Sequence, residues 1–356
     1  MKTLLSKIIF AAACFAAVSC ADDSVLTVDV AKNMDMTDTV GLEGIVSDVR
    51  VVELKGEGLY NILIFGEYDG KLYGKTANDV MVIFSEDGEL LKSYKGKGRG
   101  PGEYATPSFD FDYVNGEILV LDMWNKVLRF DEDGNLLAEV KTPAVMKSGD
   151  IIAAEEDRYI STVMSNVEKD SSLIYLDADF NETGKEFPVF NNAQLSDQGL
   201  LVAESLDNFN SSVMYRPFGE DVFYRYSDGD WTPYLRIDEG RYRMPAELLT
   251  SMNDDAKSGY LMGYRRNLAG KYLFYSYMIV GQMAIYFDIF DIETGVRLAH
   301  NIYTEEDMEN GIDEGHRFRF DGQAYRALPQ YVKDNVLYWS RFDDDGNTIL
   351  YRITLK

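Results

Sequence analysis

Apolar and polar residues alternate with a period of two along most of this chain, in short runs cut by Gly, Asn and Asp. Val46 to Leu54 (VSDVRVVEL), Val127 to Phe130 (VLRF), Val222 to Tyr226 (VFYRY), Ile285 to Ile292 (IYFDIFDI) and Leu337 to Phe342 (LYWSRF) all read this way. Alternation of this kind predicts half-buried β-strands, and no long segment carries apolar residues at helical spacing. Asp-Gly turns, in which Gly accepts positive φ without steric cost, punctuate the runs. They stand at Asp87-Gly88, Asp133-Gly134, Asp228-Gly229 and Asp345-Gly346, with Thr294-Gly295 as a looser fifth. The chain is predicted to be all-β.

Two of these hairpins are near copies. Val80 to Lys95 reads VMVIFSEDGELLKSYK and Lys126 to Lys141 reads KVLRFDEDGNLLAEVK, 46 residues further on. Repeats of about 40–50 residues that must stack to bury their faces point to a β-propeller. The second repeat supplies strands Phe109–Tyr113, Glu117–Asp122, Lys126–Asp131 and Asn135–Lys141, and the first spans about Asn61 to Tyr94. The third uses Asp150–Ala154, Tyr159–Val163, Ser172–Leu176 and Phe187–Phe190; later ones end near Ile237, near Tyr303 and at the C-terminus. That gives six blades of four antiparallel strands. The last blade lacks an outer strand, and Val46–Leu54 lacks a partner. Pairing it with Thr348–Leu355 closes the ring and removes two open edges. The expected organisation is a signal segment at 1–19, a linker at 20–43 and one propeller over 44–356.

The N-terminus has Lys2 and Lys7, an apolar stretch from Ile8 to Val18, and then Ala17-Val18-Ser19-Cys20. The stretch is short for a membrane span and reads as an export signal. Small residues before a cysteine resemble a bacterial lipobox, with Ala17 where Leu is usual. Cys20 is then the lipidation site and the membrane anchor; ordinary cleavage is the alternative. The acidic Ala21-Asp22-Asp23 that follows resembles the surface-export signals of Bacteroidota lipoproteins. The expected address is the outer membrane, exposed at the cell surface, with the periplasmic leaflet as the other possibility. Cys14 and Cys20 are the only cysteines, so a processed chain has no disulfide and no thiol chemistry.

The formal charge is −25, and removal of the signal leaves 33 basic against 60 acidic residues, or −27. That field repels nucleic-acid backbones, which are therefore not expected partners.

The order of VSDVRVVEL, FSEDGELLKSY, GKGRGPGEY and VLDMWNKVLRFDEDGNLL, with Tyr234 to Gly240 (YLRIDEG) and Met244-Pro245 later, resembles the six-bladed β-propeller lipoproteins of Bacteroidota. GRGPGEY is the more specific motif, whereas the Asp-Gly hairpins are shared with NHL-type repeats. The resemblance implies fold and address. It supplies no catalytic residues.

Candidate chemistry lies on the face where one blade's outer strand leads into the next blade's inner strand. The loop Gly96 to Tyr104 (GKGRGPGEY) combines four glycines with Lys95, Lys97 and Arg99, and it carries Glu103 and Tyr104. Exposed backbone N–H groups beside cations suit a carboxylate or sulfate; a tight blade-linking turn with Tyr104 packed inward is the other reading. Asp122, Trp124 and Asn125 lie on the same face, where a Trp beside an amide suits a sugar ring or wedges between blades. Arg265 and Arg266 join them from the fifth blade.

The runs Asp131 to Asn135 and Asp343 to Asn347 are carboxylate-rich enough to suggest calcium. They lack the register of an EF-hand and are expected between third and outer strands, away from the mouth. No cofactor is expected, with calcium as the one candidate. His300 and His316 are the only histidines, and no nucleophile elbow or zinc-helix motif accompanies them. The expected function is a lipid-anchored binding module presenting this face to a glycan, peptide or envelope protein. Its alternatives are a lactonase- or lyase-like enzyme with a metal in the channel, and a scaffold for an envelope complex.

Overall fold

The computed structural model describes residues 25–34, 42–122, 126–142, 146–156, 158–163, 173–184, 205–209, 212–217, 220–249, 254–310, 317–320, 323–326, 328–343 and 345–356. In chain order, β1 (Leu26–Asp29) and the single turn α1 (Val30–Asn33) precede β2 (Val46–Leu54). The first blade is β3 (Leu63–Tyr68), β4 (Lys71–Lys75), β5 (Met81–Ser85) and β6 (Leu90–Tyr94). The second is β7 (Pro107–Asp112), β8 (Glu117–Asp122), β9 (Lys126–Phe130) and β10 (Leu136–Lys141). The third shows β11 (Met146–Glu155), β12 (Arg158–Val163) and β13 (Leu173–Leu176); the strand expected at Phe187–Phe190 lies outside the described residues. The fourth is β14 (Ser205–Phe209), β15 (Ser212–Arg216), β16 (Val222–Ser227) and β17 (Asp230–Asp238). The fifth is β18 (Leu261–Ala269), β19 (Tyr272–Ile279), β20 (Ala284–Asp291) and β21 (Val296–Thr304). A ribbon of β22 (Arg317–Phe320) and β23 (Gln323–Arg326) leads to the sixth, made of β24 (Tyr331–Lys333), β25 (Val336–Phe342), β26 (Thr348–Leu355) and β2.

The fold is a six-bladed β-propeller closed as the alternation predicts. β2 pairs antiparallel with β26 from Val46↔Leu355 to Leu54↔Thr348 and becomes the outer strand of the sixth blade. Each of the six blade interfaces carries its own apolar core. The closing one sets Val52, Leu54, Tyr338 and Leu350 of the sixth blade against Ile64, Leu72, Val82 and Phe84 of the first. Middle strands such as β8 are buried on both faces because a neighbour covers each side, whereas the outer strands β6 and β10 are largely exposed.

The acidic turns are self-contained. Asp131 accepts from the amides of Asp133 (3.0 Å) and Asn135 (2.7 Å) and from Asn135 Nδ2 (2.8 Å). Asp343 repeats this with Asp345 and Asn347, and Asp177 with Asp179 and Asn181. Donors fixed on a carboxylate favour its charged form, and the side-chain bond from Asn347 leads in holding Asp343 below the usual range. The turns also clamp neighbours. Lys71 of the first blade reaches Asp133 at 2.8 Å, and Lys55 N–H donates to the Gly88 carbonyl at 2.9 Å. Gly88 sits at φ +87° with its Cα against the Glu53 carbonyl, so that close approach demands glycine.

Two sequence expectations are corrected. Asp343 to Asn347 joins the second and third strands of its blade, since β26 is third and β2 outer. It therefore lies on the mouth face, where the Gly346 carbonyl accepts from Asn61 N–H just before β3. Second, residues 26–34 are not part of a solvated linker. β1 adds to the fourth blade as a fifth strand, parallel to β17 from Leu26↔Leu235 to Asp29↔Asp238. Val28 and Val30 are fully buried in the core between the fourth and fifth blades, and this burial is what holds the segment down.

Candidate functional site

The glycine loop after β6 is folded around its own side chains. Gly98 N–H donates to the Tyr104 carbonyl (2.9 Å), Gly100 N–H to Glu103 Oε2 (2.7 Å) and Gly102 N–H to Glu139 Oε2 (2.6 Å). The Glu103 carboxylate so occupies the space over Gly98 that a Cβ there would collide with it. Tyr104 is fully buried, donates to the Asp79 carbonyl at 2.7 Å and packs edge-on to Phe109. Burial first of all raises its phenol to about 12. Asp122 is buried and accepts from the amides of Ala105 (3.2 Å) and Thr106 (3.0 Å), fixing the path into β7. Lys97 contacts Asp79 at 3.3 Å, and Lys95 and Arg99 are exposed. Trp124 and Asn125 lie outside the described residues. An anion arriving at this loop would compete with carboxylates already in place.

Arg265 and Arg266 separate as adjacent strand residues must, one to each face. Arg265 is exposed, and its N–H donates to Ser276 Oγ at 3.2 Å. Arg266 turns into the seam between the fourth and fifth blades and lies over the Tyr275 ring, 5.1 Å from its centroid. Tyr275 donates to Glu239 Oε1 at 3.0 Å. Arg216, at the end of β15, is the other guanidinium acting on this carboxylate and phenol. Burial raises the Glu239 carboxyl above its ordinary value, and Arg266, the Tyr275 hydroxyl, Arg216 and Arg243 only partly offset it.

Among the described residues, Arg266 and Arg216 both act on the Glu239 carboxylate. Arg243 and Arg236 of the same blade are matched to Asp221, at 3.0 and 3.8 Å. Arg266 has no carboxylate within 4.0 Å among the described residues, and its buried Nε makes no hydrogen bond. Even its ring partner is tightly set, because a Cβ at Gly263 would strike both the Arg266 guanidinium and the Tyr275 hydroxyl. Sequence reading found Arg266 and missed Arg216, Glu239 and Tyr275. Glu239 stands in the quoted YLRIDEG run, but only the fold brings it to Tyr275, 36 residues on.

The seam continues outward as a second polar group. Tyr277 donates to Asp288 Oδ2 at 2.7 Å, and His300 Nδ1 lies 2.6 Å from Asp288 Oδ1. Arg297 Nη1 is 3.2 Å from the same His nitrogen. Asp288 and Arg297 are almost fully buried, and Tyr286 lies between Tyr277 and the imidazole. His316 lies outside the described residues. Among the described residues no three His, Cys, Asp or Glu side chains converge as a metal-binding group, and no helix is long and apolar enough to cross a membrane.

Three comparisons bear on this architecture. An exported protein from Bacteroides fragilis NCTC 9343 superposes with a TM-score of 0.67 at 16% identity, over 94% of this chain and 100% of that one. A member of the DUF4221 family from Bacteroides vulgatus ATCC 8482 gives 0.53 at 11% identity, over 87% and 97%. An oligogalacturonate lyase in complex with manganese gives 0.41 at 13% identity, over 87% and 91%, a likeness too loose to carry chemistry across. At these identities the likeness shows the fold alone. No curated protein matches the sequence. The family model for the domain of unknown function DUF4934 matches residues 25–338, from the strap formed by β1 and α1 to the sixth blade, and the chain belongs to that family.

Proposed function

We propose that this protein is a lipid-anchored binding module of the outer membrane, anchored through Cys20. It recognises a carboxylate on a glycan, peptide or envelope protein in the seam between the fourth and fifth blades. The observation that carries the reading is Arg266: a guanidinium stacked on Tyr275, whose buried Nε makes no hydrogen bond and which has no carboxylate within 4.0 Å among the described residues. A partly buried guanidinium with a free donor is stabilised by a carboxylate that reaches it, through a charge-assisted hydrogen bond. Tyr275 is fully buried beneath it and, through its hydroxyl on Glu239, fixes the wall of the site rather than touching the ligand.

No catalytic step is assigned, and calcium has no part in the reading, because the acidic turns meet their carboxylates with their own amides. A thermal-shift series on the soluble domain tests it, with glucuronate, glucose, a peptide ending in a free carboxylate, and calcium chloride as probes. The carboxylate-bearing probes are expected to raise the midpoint, since a ligand that binds only the folded state stabilises it by mass action. Glucose and calcium are expected to leave it unchanged. No shift with either carboxylate overturns the reading in favour of a scaffold.

A further inference from the structure

We propose that the ring sits edge-on to the bilayer, with the rim of the fourth blade against the lipid headgroups and the first blade's rim farthest away. The inference rests on the lipid-anchor reading of Cys20 and adds where that anchor leads. A linker running to residue 43 would give the propeller about 80 Å of reach and no preferred attitude. The strap removes most of that freedom. β1 is hydrogen-bonded along β17 on the outside of the fourth blade. Asn33 Nδ2 then donates to the Gly295 carbonyl, and Asn33 Oδ1 accepts from Arg297 N–H in the fifth. Ala31 packs on Gly240, where a Cβ would collide with it.

Six Cα steps separate Cys20 from Leu26, which extended chain covers in about 20 Å. A domain of this size has a radius of gyration of about 20 Å and so a diameter of roughly 50 Å. The tether cannot carry the far side of the ring to the membrane. In a ring of six, the blade opposite the fourth is the first. β1 runs toward the mouth beside β17, so the anchor leads away from the mouth along the fourth-blade rim, and in the edge-on ring the mouth opens along the bilayer plane rather than into the lipid.

The acylated chain carries no thiol for labelling, which makes single-cysteine probes straightforward. Thr232→Cys on β17 and Ser93→Cys on β6 both replace exposed outer-strand residues, on the fourth and first blades. Each labelled lipoprotein is placed in vesicles of phosphatidylethanolamine and phosphatidylglycerol carrying a nitroxide headgroup quencher. The Thr232→Cys label is expected to lose at least half its emission and the Ser93→Cys label almost none. Equal quenching of the two, in a chain shown by palmitate incorporation to be acylated, overturns the orientation and leaves the anchor standing. Absence of palmitate together with absence of vesicle binding overturns both. Insertion of about twenty Gly/Ser residues after Ser24 is expected to abolish the difference. A difference that survives the insertion overturns the tether as its cause.

Discussion

Phe180 occupies the place in the third blade's turn where the second and sixth blades have Gly134 and Gly346. Its φ is +58°, a left-handed backbone that costs a non-glycine residue about 1–2 kcal/mol. It is retained because its ring is 1% exposed and stacks on Tyr159 at 4.6 Å. Loss of a buried phenyl costs about 3–5 kcal/mol, so packing outweighs strain. Phe180→Gly is therefore expected to destabilise the protein by about 2–3 kcal/mol in urea unfolding, although glycine suits the backbone better. Glu239 shows a different balance. Its folded carboxyl titrates above its unfolded value, so ionising it costs stability: its favourable contribution is complete below the unfolded value and is lost as pH rises through the folded one. Glu239→Gln is expected to raise the midpoint at pH 7, with the gain vanishing in acid. A gain that grows toward acid contradicts this account of the seam.

At the scale of elements, the strap is the part of the chain that alternation disguised. Leu26 to Asp29 is too short to declare a strand, and its acidic surroundings read as linker. What orders it is the unpaired edge of β17, a partner more than 200 residues away. Deleting residues 25–34 is expected to speed amide exchange in β17 and β21 and to leave β5 and β9 unchanged. Uniform acceleration would show that the strap is needed for the whole ring.

The strands of the first two blades were legible for a physical reason. Each blade is a local meander, and hairpins carry their own turn chemistry, so the strands around Asp87-Gly88 and Asp133-Gly134 fall where the alternation puts them. The closure was legible because two lone strands had one way to lose their edges. The face of Asp343 to Asn347 was misread because an Asp-Gly turn looks alike in either hairpin of a blade; only strand order tells them apart. Glu239, Tyr275 and Arg216 come from three segments whose meeting is set by blade stacking, and nothing local marks it.

At the scale of the whole molecule, the mouth face offers two places for an anion. The glycine loop carries more exposed cations, but Glu103 and Glu139 already hold its amides. The seam between the fourth and fifth blades is less basic in sequence but holds Arg266, whose buried Nε makes no hydrogen bond and which has no carboxylate within 4.0 Å among the described residues. A titration calorimetry experiment with glucuronate on the wild-type, Arg266→Gln and Arg99→Gln proteins separates the two. Binding is expected for the wild type, at least tenfold weakened by Arg266→Gln and unchanged by Arg99→Gln, with both variants keeping the wild-type circular dichroism. Retention of binding in Arg266→Gln, or its loss in Arg99→Gln alone, contradicts the account.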